Sequence, residues 1–268
     1  MDRLRALRGC VGTVVLGQID PDFAAAREEL RAFNITHGFT NVEYVTQAAA
    51  LVEQGRDALC AHALEQKYDY LLQIDADAVF APDALVRILN DAFVLVQDSD
   101  AVGAYCQLKG SHICSLDSGT GTWEPHFPGE GLVPAIRTGA HFLLTKTSAL
   151  RKFGPPWFRS RLAKRPLDAL AEVDNYARIK LHGDNPFAGS DSWQQLVGLA
   201  KSESSSAPSG VGEDSGFCDA LLAAGGRLYV DTDLVAGHVE KRVIQPSDLK
   251  HKLDEQARKV ALACGVLP

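Results

Sequence analysis

The first hundred residues alternate between two hydrophobic periods, and this alternation restricts the fold more than any other feature of the chain. Val11 to Leu16 is a short apolar run of the kind a buried strand needs. After Pro21, the residues Phe23, Ala26, Leu30 and Phe33 recur at spacings of three, four and three, which marks one face of a helix. Val42 to Val45 predicts a second strand. Residues from about 48 to 66 predict a helix that offers Leu51, Leu59, Ala63 and Leu64 to the core, and Tyr70 to Ile74 predicts a third strand. Pro82 and Asp83 then open a helix running to about Val96. Repeated strand–helix units imply right-handed crossovers and a parallel sheet covered on both faces.

Past residue 100 the rhythm changes to short strands with turn signals at Ala101 to Cys106, His112 to Leu116, Leu132 to Ile136 and His141 to Thr145, which suggests a mixed sheet. Residues 183–212 are rich in Ser, Gly and Pro and cannot build a core, so they predict a surface loop or lid around a short helix at Trp193 to Leu199. Glu213 to Ala224 reads as a helix with Phe217, Leu221 and Leu222 inward and Gly225-Gly226 as its stop. Strands at Leu228 to Val230 and Leu234 to Ala236 follow, and an amphipathic helix from about Ser247 closes the chain. The expected fold class is α/β, with a mostly parallel central sheet flanked by helices, a second smaller mixed sheet and a flexible loop or lid. The first half looks like a Rossmann-type nucleotide-binding unit without the G-x-G-x-x-G loop of dinucleotide binders. A single domain is expected over 1–268: a nucleotide-binding half at 1–105, a completing half at 106–246 and a terminal helix at 247–268.

With 46% apolar and 23% charged residues, 268 residues suffice for a full core, which excludes disorder and fibre. The net charge of -7 argues against a protein that coats nucleic acid or anionic membrane non-specifically. Six cysteines at 10, 60, 106, 114, 218 and 264 form no C-x-x-C pair and read as buried thiols of a reducing compartment. The basic start before Val11 superficially resembles a signal peptide. The apolar run is too short, however, and Asp20, Pro21 and Asp22 stand where small cleavage-site residues belong. With no membrane-spanning run either, a cytoplasmic protein is expected.

Asp75-Ala76-Asp77 directly follows Tyr-Leu-Leu-Gln-Ile, so both carboxylates emerge at the carboxyl end of a buried strand, where open α/β sheets bind ligands. In extended geometry the two point the same way and converge on one cation. A divalent ion held there neutralises a diphosphate and stabilises it as a leaving group. Spacing alone is weak evidence: 22 aspartates produce about two such pairs by chance, on composition priors, and the chain contains four. Asp20 with Asp22 and Asp98 with Asp100 read as turn and capping residues; only the pairs at 75 and 231 follow an apolar strand.

A second constellation begins a helix, Gly212-Glu213-Asp214-Ser215-Gly216-Phe217-Cys218, and is followed by Gly225-Gly226, a strand and His238. A first-turn carboxylate is stabilised as an anion by the helix dipole. Facing a cleft, Asp214 could take a proton from an attacking hydroxyl. Acidic first turns are also ordinary helix caps, and a single histidine is more often structural than a ligand.

Taken in order, these stretches resemble the GT-A fold glycosyltransferases, most closely the small family-2-like enzymes of bacteria and phages. The matching segments are Gly55-Arg56-Asp57-Ala58-Leu59, Tyr68 to Asp77, Gly139-Ala140-His141-Phe142-Leu143-Leu144, Gly154-Pro155-Pro156-Trp157-Phe158, Gly212-Glu213-Asp214 with Phe217-Cys218, and Val235-Ala236-Gly237-His238. The resemblance implies sugar transfer from a nucleotide-sugar donor, a UDP-sugar in the favoured reading, to an acceptor hydroxyl. It implies that Asp75, Asp77 and His238 hold Mn²⁺ or Mg²⁺, with Asp77 as direct ligand and Asp75 on ribose or metal. An imidazole among oxygen ligands suits Mn²⁺ better than Mg²⁺. Asp214 corresponds to the base of inverting members and Glu213 lines the acceptor side. Arg56 and Gln18 fall with the nucleotide, and His141 and Trp157 with the acceptor. Asp57 stands where relatives often carry Asn, and the Q-x-x-R-W element of processive synthases is absent.

The acceptor is read as a glycan or lipid, a protein or a hydroxymethylated DNA base. Arg151, Lys152, Arg159, Arg161, Lys164 and Arg165 form a basic run beside Trp157 and Phe158 that could grip a phosphate backbone or be a solvated face. Two other classes share some of these features. A haloacid-dehalogenase-like phosphohydrolase also uses D-x-D after a strand, but normally after the first one. A non-catalytic nucleotide-sugar binder would not need acids at 75, 77 and 214.

Overall fold

The computed structural model describes residues 1–106, 116–119, 129–158, 194–195 and 212–239. Its centre is a seven-stranded sheet in the order β2-β1-β3-β9-β5-β10-β7, built from β1 (Gly9–Val15), β2 (Val42–Ala48), β3 (Tyr70–Ile74), β5 (Ala101–Tyr105), β7 (Leu132–Ala135), β9 (Phe142–Lys146) and β10 (Leu228–Val235). β1 pairs in parallel with β2 and β3, and β5 with β10, while β9 runs antiparallel between β3 and β5 and β7 runs antiparallel at the edge. Five of the seven strands therefore share one direction, as expected of a GT-A-like, Rossmann-type sheet.

Helices cover both faces: α1 (Asp2–Arg5), α2 (Pro21–Thr36), α3 (Val52–Glu65), α4 (Ala84–Asn90) with a π-helical continuation at Asp91–Leu95, α5 (Thr147–Phe153) and α6 (Glu213–Ala223). The side-chain alternation of the strands assigns the layers. Tyr70, Leu72 and Ile74 of β3 and Phe142 and Leu144 of β9 join Phe23, Leu30, Leu85 and Ile88 in one core. Leu71 and Leu143 face the other way, into a second core with Leu59, Ala63, Leu150, Trp157 and Phe217. α2 starts where Pro21 requires, with the Asp20 carboxylate accepting from the Asp22 N–H as N-cap. α6 stops at Gly225, whose φ of +75° is open to glycine at little cost.

Two small two-stranded sheets complete the description: β4 (Ala78–Val79) with β11 (Gly237–His238), and β6 (Leu116–Asp117) with β8 (Arg137–Thr138). The expected second sheet is thus two separate ladders. Two further expectations are corrected. The helix expected from residue 48 starts at Val52 because β2 runs on to Ala48, which leaves Leu51 exposed as the residue before the first turn. The two strands expected at 228–236 are one strand, β10, whose pairing with β5 shifts register between Asp231 and Val235.

Cys10, Cys60, Cys106 and Cys218 are buried thiols, as the composition suggests. Among the described residues no helix is long and apolar enough to cross a membrane. The strand expected at His112 to Leu116, the loop at 183–212 with its helix, the helix from Ser247 and four of the six basic residues of the run, Arg159, Arg161, Lys164 and Arg165, lie outside the described residues, Leu116, Gln194, Gln195 and Gly212 apart.

Candidate active site at the carboxyl edge of the sheet

Four chain segments meet beyond the end of β3, and strand register brings them together. β3 and β9 pair antiparallel, with Ile74 opposite Phe142; one residue further, the Asp75 N–H donates to the His141 carbonyl at 3.0 Å. In the β4–β11 ladder His238 lies opposite Ala78, which sets its ring beside Asp77. The Ala236 N–H donates to the Tyr105 carbonyl at 2.9 Å, bringing the end of β5, and therefore Cys106, to the same place.

The resulting cluster is compact. His141 Nδ1 lies 3.4 Å from Asp75 Oδ2, and His238 Nδ1 lies 3.7 Å from Asp77 Oδ1. The two imidazoles sit with centroids 3.7 Å apart, and His238 Nε2 is 3.2 Å from Cys106 Sγ. Burial works against protonating His141, yet Asp75 and Cys106 outweigh it and raise its pKa to about 10. His238 is likewise raised, with burial opposed by Asp77 and Cys106. Burial alone would raise the Cys106 thiol, but the two imidazoles bring it below its ordinary value.

Arg56 joins this cluster to the acids of α6. It projects from α3, which lies close against β1 because Gly55 faces Val14: a Cβ on Gly55 would come within 2.4 Å of Val14 Cγ1. Its buried guanidinium donates to the Ala140 carbonyl at 2.8 Å and to Asp75 Oδ1 at 2.9 Å. The Nη2 atom that meets Asp75 is also 3.6 Å from Asp214 Oδ1, and Nε is 3.9 Å from Glu213 Oε1. The Phe158 ring lies beneath the guanidinium at 5.4 Å and stacks on Phe217 at 4.6 Å, so the core contact that docks α6 also aims its first turn at Arg56. Burial opposes the Asp75 anion, but Arg56 and His141 hold its carboxyl below the usual carboxylate range. Burial and then Asp214 lift Glu213 to about 7 against the pull of Arg56.

Asp75, Asp77, Asp214, Glu213, Arg56 and His238, all singled out in the sequence, thus form one connected set. His141 belongs to the same set: its ring is buried between Asp75 and His238. Gln18 is exposed just past β1, near the D-x-D turn, to which the Asp20 N–H donates at the Ala76 carbonyl. Trp157 lies in the core at 5% exposure, with its indole N–H donating to the Leu150 carbonyl. Asp57 Oδ1 accepts from the Trp157 and Phe158 N–H groups and so secures the turn that carries Phe158. Lys152, of the basic run, pairs with Asp100 at 2.6 Å. Cys106 escaped the sequence reading, although its place at the end of an apolar strand is the same signal that marks Asp75.

Two groups have donor atoms close enough to share one ion at this edge: Asp75, Asp77 and His141, and Cys106, His141 and His238. The buried Nδ1 atoms of His141 and His238 face the Asp75 and Asp77 carboxylates at 3.4 and 3.7 Å, beyond a hydrogen bond of good geometry.

No family model matches the chain, and no curated protein does. Among solved structures the chain is similar to A197 from STIV at 18% identity and a TM-score of 0.53, over 88% of this chain and 87% of that one. That similarity establishes the shared fold. GalNAc-T7 with UDP, GalNAc and Mn²⁺ aligns at 10% identity and a TM-score of 0.46, over 87% of this chain and 44% of that one. A glycosyltransferase involved in glycosylation of the major capsid of PBCV-1 aligns at 10% identity and a TM-score of 0.36, over 88% and 94%. Likeness at these last two levels does not bear on function.

Proposed function

We propose that this protein is a metal-dependent glycosyltransferase that moves a sugar from a nucleotide-sugar donor, a UDP-sugar by preference, to an acceptor hydroxyl with inversion. One observation carries the reading: Arg56 Nη2 stands between Asp75 at the D-x-D turn and Asp214 at the head of α6. The residues assigned to the donor diphosphate and the residue assigned to the acceptor proton therefore share one buried cation.

Asp75, Asp77 and His238, with His141 beside them, are the residues to hold a divalent ion through oxygen and imidazole donors. When bound, the ion neutralises the diphosphate and stabilises it as a leaving group. Asp77 Oδ1 faces His238 Nδ1 at 3.7 Å. Arg56 fixes the orientation of Asp75 and keeps it anionic. Asp214, in the first turn of α6 where the helix dipole favours an anion, receives the proton of the attacking hydroxyl. Glu213 lines the acceptor side. Gln18 contacts the nucleotide from the loop after β1. The acceptor is a hydroxyl of a glycan, lipid, protein or hydroxymethylated DNA base.

The test is incubation with Mn²⁺ and a panel of UDP- and GDP-sugars, following nucleotide release and protection against thermal unfolding. Donor-dependent protection that disappears in Asp77→Ala supports the transferase. Turnover of phosphate monoesters without nucleotide would replace it with a hydrolase.

A further inference from the structure

The ion site contains one donor that oxygen-based diphosphate chemistry does not require. Cys106 Sγ lies 3.2 Å from His238 Nε2, and one ligand atom each from Cys106, His141 and His238 falls within 4.8 Å of the others. The outer contacts of both rings are those of metal-bound histidines, whose second nitrogen is normally engaged by a carbonyl or carboxylate. His141 turns Nε2 to the Gly237 carbonyl at 3.1 Å, which leaves Nδ1 for an ion. His238 turns Nδ1 toward Asp77 Oδ1, which leaves Nε2 on the Cys106 side. His141 Nδ1 is the second sign of a ligand: it is buried, on a residue 4% exposed, and faces Asp75 Oδ2 at 3.4 Å, beyond a hydrogen bond of good geometry.

We propose that Cys106, His141 and His238 form a sulfur–imidazole site that selects a borderline transition ion, Zn²⁺ or Co²⁺, over Mg²⁺ and Mn²⁺. A thiolate with two imidazoles is a three-ligand set suited to Zn²⁺, which takes such sets with a fourth position open. Hard ions such as Mg²⁺ prefer a shell of oxygens and gain little from sulfur. The two groups share His141, so one ion occupies the site and the sulfur decides which ion competes best. This deepens the transferase reading, since the same residues face the donor diphosphate, but ion selection is measured without donor or acceptor.

The experiment is titration of Co²⁺ into the metal-stripped full chain, with absorption as the readout. A near-ultraviolet thiolate-to-cobalt band is expected in the unaltered protein. Cys106→Ser should still bind Co²⁺ but lose that band, with an unchanged circular dichroism spectrum showing that it folds. Zn²⁺ should displace the Co²⁺ at least about 100-fold more effectively than Mn²⁺. Cys10→Ser serves as control, because Cys10, Glu43 and His62 form another group of neighbouring donors; it should keep the band. Co²⁺ bound without a thiolate band, a band lost in Cys10→Ser but kept in Cys106→Ser, or equal competition by Mn²⁺ and Zn²⁺ would overturn the proposal. An intact Cys106 band in a chain that binds no nucleotide sugar would support it while removing the transferase reading.

Discussion

Arg56 Nη2 lies 3.6 Å from Asp214 Oδ1, although the first comes from the inner face of α3 and the second from the opening turn of α6. The same nitrogen is 2.9 Å from Asp75. Three acids thus surround one guanidinium that is almost fully buried, and their charges raise its pKa against the opposing effect of burial. Removing that cation leaves the acids without compensation, which is the costly way to break a buried pair. Arg56→Met should lower unfolding free energy by about 3 kcal/mol, read from denaturant midpoints. Arg56→Lys should lose less, because it keeps the charge while giving up the planar fork that serves Ala140 and Asp75 together.

Asp214→Asn should lower kcat for nucleotide release by about 10²- to 10⁴-fold and leave donor binding nearly unchanged, because the role proposed for Asp214 is to take the acceptor proton. Steady-state rates beside calorimetric donor affinity separate the two. Glu213→Gln should cost less in kcat, since Glu213 is assigned to line the acceptor side.

Asp91 supplies a pH prediction away from the site. It is 6% exposed at the start of the π-helical turn, its Oδ2 has no hydrogen bond of good geometry, and burial, followed by the neighbouring Asp231, raises its pKa from 3.8 to about 7. A carboxyl whose folded pKa is raised holds a proton that the unfolded chain releases. Its contribution is therefore full below pH 3.8 and lost as pH rises through about 7. Asp91→Asn should be more stable than the parent at pH 8 by about 2 kcal/mol, with a flatter profile between pH 5 and 8 by about the same amount. Thermal unfolding across that range reads it.

Gly55 permits the approach of α3 to β1, since a Cβ there would meet Val14 Cγ1 at 2.4 Å and Cγ2 at 2.9 Å. Gly55→Ala should destabilise the fold by about 1–3 kcal/mol, the usual cost of overpacking. It should also weaken ion binding, because the displaced turn carries Arg56. Denaturant unfolding and Co²⁺ titration on the same sample measure both effects.

The elements that could be read from sequence are those whose signal is local. The three-four-three spacing from Phe23 to Phe33 and the Asp20-Pro21 start placed α2, and the apolar run ending at Ile74 put Asp75 and Asp77 at a strand end. Asp75, Asp77, Asp214 and His238 could be read as one set only through the resemblance of their order to the GT-A glycosyltransferases, since periodicity and spacing do not say how these segments meet. What depends on register was not legible. His141 reaches Asp75 only because β9 runs antiparallel to β3, and Cys106 reaches His238 only because the end of β10 returns to β5. Trp157 beside a basic run suggested a stacking platform, but tertiary packing turned its ring into the core. Periodicity likewise assigned Leu51 to a buried face, while the extension of β2 placed it in the exposed connection before α3.

In the proposed transferase, the acids after β3 and the two imidazoles hold an ion that in turn holds a nucleotide diphosphate. Calorimetric titration of UDP into the metal-stripped full chain, with and without saturating divalent ion, tests it most directly. Binding at least about 10-fold tighter is expected with the ion present, a coupling within the usual range, and that gain should be lost in Asp77→Ala. Equal affinity for UDP with and without any divalent ion, in a folded protein, would contradict it.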